Sequence, residues 1–158
     1  VLEKLEGPWK VLFDTARRGP KESVIFETLQ NWTTSSNERI KYYSGEAIYT
    51  LQFTLPEKQE GETILIDMGS LTAMAKVSVN GAYAGGSWTP PYRVDITEHV
   101  KMGVNELSIT VVNNWIIGDL NLPEAQRKTW YIVNPYNAQS PLQPSGLFGP
   151  VTINKIKY

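Results

Sequence analysis

The feature that most constrains this chain is a period of two in its apolar residues. In EAIYTLQFTLP, Ala47, Tyr49, Leu51, Phe53 and Leu55 fall on one side, and Thr50, Gln52 and Thr54 on the other. A helix would scatter these residues around its circumference, whereas a pleated strand sorts them onto two faces. NELSITVVN repeats the pattern, with Leu107, Ile109 and Val111 against Ser108 and Thr110. AKVSVNG sets Ala75, Val77 and Val79 against Lys76 and Ser78, and YRVDIT sets Tyr92, Val94 and Ile96 against Arg93 and Asp95. The Asn80-Gly81 pair after the third of these runs is a tight hairpin turn. ETILIDMG is apolar enough to read as a strand covered on both faces. WKVLF and VTINKIKY bring the two ends of the chain into the sheets.

Helical signals are short. One covers residues 97–101, with Thr97 as N-cap, and another lies near residues 123–127. With 17 aromatics, 12 glycines and 10 prolines, the composition suits short strands joined by turns. The expectation is an all-β sandwich of jelly-roll type, one domain over residues 1–158 without internal repeats. Residues 33–45 read as a polar connection. Residues 133–150 read as an extended loop crossing one end of the sandwich.

Composition excludes several functions. A net charge of −1 leaves no electrostatic footprint for nucleic acid or anionic lipid. No apolar run reaches the roughly 20 residues of a membrane helix, and no signal peptide precedes the first strand. With no cysteine and one histidine, thiol chemistry and zinc are excluded. His99 lacks a nucleophile-elbow partner and reads as a surface residue. A start at Val1 rather than Met reads as a module excised from a longer polypeptide.

Five segments in order, YYSGEAIYTLQFTL, VNGAYAGGSWTPPYRVDIT, GVNELSITVVNNW, GDLNLP and SGLFGPV, resemble a non-catalytic module of large bacterial glycoside hydrolases. That module is the galactose-binding-like jelly roll of α-L-rhamnosidase-type enzymes, related to the sugar-binding domain of the β-galactosidase family. The resemblance covers residues 42–151. It implies an accessory domain that packs on the catalytic domain of the same polypeptide, with weak binding of rhamnose- or galactose-containing glycans. It also implies a periplasmic or extracellular location. One departure is visible: Trp115 runs directly into Ile116-Ile117-Gly118-Asp119, without the family's intervening Asn-Arg pair.

The candidate ligand site is aromatic. Sugar rings stack their C–H faces on Trp and Tyr, while amide, carboxylate and guanidinium groups bond the hydroxyls. Trp88, Tyr92, Asn114, Trp115, Asp119, Arg127 and Trp130 fit that description. The competing expectation is that these rings close the ends of the sandwich, with Asp119 tied to Arg127. Trp9 and Trp32 are expected at the core edge or facing the catalytic domain. No catalytic residue is assigned. The nearest carboxylate pair is Asp119 and Glu124, and Glu46 and Glu106 read as solvated strand positions. No cofactor is expected. A structural Ca2+ on Asp67, Asp95 and Asp119 is the one ion considered, without a DxDxDG loop to support it. Two alternatives to the accessory module remain, an autonomous carbohydrate-binding module and a small jelly-roll glycosidase.

Overall fold

A computed structural model of the chain describes residues 1–113, 123, 126 and 139–157. The strands are β1 (Glu3–Leu5), β2 (Trp9–Phe13), β3 (Val24–Phe26), β4 (Glu46–Leu55), β5 (Glu62–Asp67), β6 (Ser70–Leu71), β7 (Met74–Val79), β8 (Ala82–Ser87), β9 (Arg93–Asp95), β10 (Gly103–Val112), β11 (Leu147–Gly149) and β12 (Val151–Lys157). They form a six-stranded sheet, β3-β2-β4-β10-β7-β8, and a four-stranded sheet, β1-β12-β5-β9. A two-stranded ribbon, β11-β6, adjoins them. Every ladder among the described residues is antiparallel, with one isolated parallel bridge between Gly69 and Gly149.

The alternation seen in the sequence sets which face each strand buries. Ala47, Tyr49, Phe53 and Leu55 of β4 are buried, as are Leu107, Ile109 and Val111 of β10. They meet Ile64, Ile66, Val94, Val151 and Ile153 of the four-stranded sheet in one core cluster. The expected β-sandwich is therefore the observed fold. Asn80 (φ 53°) and Gly81 (φ 80°) make the two-residue turn between β7 and β8, with both residues in the left-handed region that such a turn requires.

Five local expectations are corrected. The β5 strand alternates buried with half-buried residues instead of being covered on both faces, because its outer side faces solvent. Residues 97–101 form a hydrogen-bonded turn rather than a helix. Its capping side chain is Asp95, whose Oδ1 accepts from the Thr97 amide and hydroxyl. The connection over residues 33–45 contains the helical turn α1 (Glu38–Lys41), and a 3-10 turn covers Trp32–Thr34. Asn side chains cap both. Trp9 and Trp32 are wholly buried in the core rather than at its edge. The segment read as an extended loop across one end contains β11 in its described part.

Candidate functional site

Two buried asparagines mark the ends of β10. Near its start, Asn105 Oδ1 accepts from the Lys101 amide and from Asn80 Nδ2. Its own amide donates to the Lys101 and Gly103 carbonyls. Immediately beyond its end, Asn113 Oδ1 accepts from the Gly45 amide at 2.8 Å, and Asn113 Nδ2 donates to the Tyr43 carbonyl at 2.7 Å and Ser145 Oγ at 3.3 Å. Asn31 Oδ1 accepts from the Ser145 amide at 3.0 Å, and the Trp32 amide donates to the Ser145 carbonyl at 2.9 Å. The Gly45 and Ser145 amides and the Tyr43 carbonyl thus find side-chain partners, and the Trp32 amide a backbone one, as buried amides require.

Beside this network lies an aromatic nest. Phe13, Trp32 and Tyr43 meet edge to face with centroids 4.9–5.6 Å apart. Trp32 Nε1 donates to Tyr49 Oη at 2.6 Å, and the Leu147 amide donates to the same oxygen. Tyr43 Oη accepts from the Asp14 amide and donates to the Glu46 carbonyl. Burial raises both hydroxyls, Tyr43 and Tyr49, to about 12. They stay neutral at physiological pH and act as structural donors and acceptors.

The sheet faces turned to solvent differ in kind. On the four-stranded sheet one row reads Lys4, Thr152, Asp67, Arg93, and the next reads Asn154, Leu65, Asp95. Arg93 Nε bonds Asp67 Oδ2 at 2.6 Å, and Asp67 Oδ1 accepts from the Gly69 amide. On the six-stranded sheet one row reads Ile25, Lys10, Thr50, Ser108, Ser78, Tyr83. The next reads Leu12, Ile48, Thr110, Lys76, Gly86. Its centre is lined by hydroxyls. Its margins carry exposed apolar residues, with Leu12 47% and Ile25 55% exposed on one side, and Tyr83 64% and Trp88 70% on the other.

Of the residues selected from the sequence, Trp88 is a solvent-exposed ring just past β8. Tyr92 is half-buried against the core, and its carbonyl accepts from the Met68 amide. Asn114, Trp115, Asp119, Arg127 and Trp130 lie outside the described residues, as does Glu124. Of the calcium candidates, Asp67 is held by Arg93 and Asp95 by Thr97, and Asp119 is not described. Among the described residues no group of three acidic, His or Cys side chains is placed to hold an ion. His99 is half-buried in its turn, and its carbonyl accepts from Asn80.

Tyr83 was not among the candidates. Its signal lay in AYAGGSW, where a bulge between Val77 and Ser78 of the β7 ladder interrupts simple alternation. The extra residue on β8 puts Tyr83 opposite Ser78 and Gly86 opposite Lys76, both facing solvent. Gly85 turns inward, where a Cβ would approach Val94 to 2.9 Å, so this glycine lets β8 close on β9. Hollows also lie among the described residues. A cleft of about 670 Å³ is lined by Lys4, Glu6, Pro8, Glu27, Leu29, Phe148 and Pro150, among others. A second, of about 380 Å³, lies beside Leu12, Asp14, Glu46 and Ile48. No helix among the described residues is long and apolar enough to cross a membrane.

Comparison with known proteins identifies the family and its relatives. The family model described as "Glycosyl hydrolase 2 galactose-binding domain-like" matches residues 27–143. A putative beta-glucuronidase of Formosa agariphila is 33% identical, with 95% of this chain aligned to 15% of that protein. The structure of a rhamnosidase from Novosphingobium sp. PP1Y superposes with a TM-score of 0.87 at 38% identity, covering 98% of this chain and 15% of that one. A beta-D-glucuronidase of Dictyoglomus thermophilum shares the fold, with a TM-score of 0.71 at 21% identity over 98% of this chain and 28% of that one.

Proposed function

The chain belongs to the glycosyl hydrolase 2 galactose-binding domain-like family, and from that premise we propose that it is a non-catalytic accessory module of a multidomain glycoside hydrolase. In this reading residues 1–158 are one sandwich unit. The unit packs on the catalytic domain of its own polypeptide and makes weak contact with rhamnose- or galactose-containing glycans. The observation that carries it is proportion. This chain, with a whole sandwich and its own core, spans about 15% of the glucuronidase and of the rhamnosidase it matches. A domain of that size in such enzymes leaves the chemistry to the remainder.

The carboxylates support the same reading. Hydrolysis of a glycosidic bond uses two carboxyl groups facing one another across the scissile bond. Here Asp67, Asp95, Asp14 and Glu62 are held by Arg93, Thr97, the Ala16 amide and Lys155 respectively. They tie turns and strands together. The aliphatic margin of the six-stranded sheet, formed by Leu12, Ile25 and Ile48 beside the smaller hollow, is the surface suited to contact with another domain. The reading carries a periplasmic or extracellular location with it, since polymeric glycans are met there.

The test is turnover by the isolated chain across a panel of nitrophenyl rhamnosides, galactosides and glucuronides. The module reading predicts none. Hydrolysis that survives repurification and is lost on Asp119→Asn or Glu124→Gln would establish the glycosidase reading instead.

A further inference from the structure

We infer that Tyr83, Gly86 and Trp88 form a stacking strip for an extended oligosaccharide, laid along β8 at the edge of the six-stranded sheet. The inference rests on the accessory-module reading and gives that module's glycan contact a place. An ideal Cβ on Gly86 would lie 3.3 Å from Tyr83 Oη. The Tyr83 side chain therefore runs along the strand towards Gly86 and continues the line to Trp88. From Gly86 to Trp88 is two residues, roughly 7 Å at the rise of a strand. The result is an aromatic strip one strand wide and longer than a single pyranose, with the Gly86 backbone as a bed under the Tyr83 hydroxyl at its middle.

The chemistry of the strip favours a sugar chain. Two amphipathic rings offer flat apolar faces, and the Tyr83 hydroxyl sits over the bed. The neighbouring strand supplies Ser78 opposite Tyr83 and Lys76 opposite Gly86, groups that bond hydroxyls. A protein partner is less well served. Two aromatic rings bury at most roughly 150–250 Å² each, short of the about 800 Å² per partner of a stable interface. Strand addition to the β8 edge is also hindered, because the bulge breaks its regular ladder. The aliphatic margin at Leu12 and Ile25 belongs to β2 and β3, with β4, β10 and β7 between it and the strip.

The experiment is calorimetric titration of the chain with hexasaccharides prepared from galactan and from rhamnogalacturonan, with galactose as the monomer control. We expect millimolar binding of at least one hexasaccharide and much weaker binding of galactose. Trp88→Ala and Tyr83→Ala should each weaken it roughly tenfold or more, the loss typical of a truncated aromatic anchor. Gly86→Leu keeps both rings in the sequence but pushes Tyr83 off the bed, and should weaken binding comparably. Tyr92→Phe should leave it unchanged. Thermal unfolding of each variant confirms that the fold is retained. Binding that ignores all three strip substitutions, or no binding of either hexasaccharide at millimolar concentration, overturns the strip. So does a dimer in sedimentation that dissociates on Trp88→Ala, which would make the strip a self-contact. Turnover of a nitrophenyl glycoside instead overturns the module reading on which the strip rests, so the two failures are separable.

Discussion

On the outer face of the four-stranded sheet, Arg93 and Asp67 sit opposite one another on neighbouring strands and bond at 2.6 Å. On the outer face of the six-stranded sheet, the margin carries Tyr83 and Trp88 with most of each ring in solvent. Both faces are built on the same pleat and cover the same core, so backbone geometry does not explain the contrast. The first face completes its polar groups internally, through the ion pair and the Asp95 cap on Thr97. The second leaves apolar and aromatic surface at both margins of a hydroxyl-lined centre. Surface of that kind is retained where something else is to be touched. The proposed contacts lie on the second face, and the first is closed on itself.

The largest effect tests whether both faces hang on one core. Trp32→Ala removes an indole that touches Phe13 and Tyr43 and bonds Tyr49. It should cost about 3–5 kcal/mol. Urea unfolding followed by fluorescence and by far-UV circular dichroism should still give one coincident transition. Separate transitions for the two signals would mean that the sheets are independent units.

Next is the buried clamp after β10. Asn113→Ala leaves the Gly45 amide and the Tyr43 carbonyl without their side-chain partner, at about 1–3 kcal/mol for each group left unpaired. The same urea titration reads this out. Asn113→Asp restores the acceptor for Gly45 but buries a carboxylate against the Tyr43 carbonyl, and at neutral pH should cost at least as much as Asn113→Ala.

The pH dependence comes from the interior and the rim. Tyr43 and Tyr49 ionise near 10 in an unfolded chain and near 12 when buried. Their contribution is complete below pH 10 and is lost as the pH rises towards 12, so alkaline unfolding should set in there. Tyr49→Phe should blunt it. Glu62 has the opposite sign. The Gln59 amide, then Lys155, hold its carboxyl below the usual range. That stabilisation is present above the ordinary carboxylate value and is lost as the pH falls through the lowered one. The pH dependence of the thermal midpoint in Glu62→Gln should therefore flatten on its acid side.

The smallest stability effects are the ones that separate the faces by function. Arg93→Ala on one face and Trp88→Ala on the other should each change stability by less than about 1 kcal/mol, because both side chains are largely in solvent. Only Trp88→Ala should alter hexasaccharide binding. Equal loss of binding on Arg93→Ala would break the distinction.

The alternating runs made the sheets legible in the sequence, because a buried face on one side of a strand leaves its mark at every second residue. Residues 47–55, 75–79, 92–96 and 107–111 followed that rule in the structure. Short strands were harder to read. The β3, β6 and β11 strands have two or three residues each, too few to show a period. Trp9 and Trp32 were placed at the core edge because a single ring near a chain end carries no sign of what lies over it. Trp9 is covered by Tyr49, and Trp32 by Phe13, Tyr43 and Tyr49, rings contributed by other elements. Of the candidate ligand residues, Trp88 and Tyr92 share an aromatic side chain, but Trp88 stands in solvent past the end of β8 and Tyr92 packs on the core just before β9. Tyr83 was obscured by the bulge that turns it to the same side as Gly86. Asn113 carried no sequence signal, since its partners at Gly45, Tyr43 and Ser145 lie far along the chain.

The most direct test of the contact face is hydrogen exchange of the chain with and without a saturating hexasaccharide, read by segment. The account predicts slowed exchange over β8 and the adjoining β7, with β9, β5 and β12 unchanged. Protection confined to the four-stranded sheet, or exchange unaltered everywhere under saturation, would contradict it.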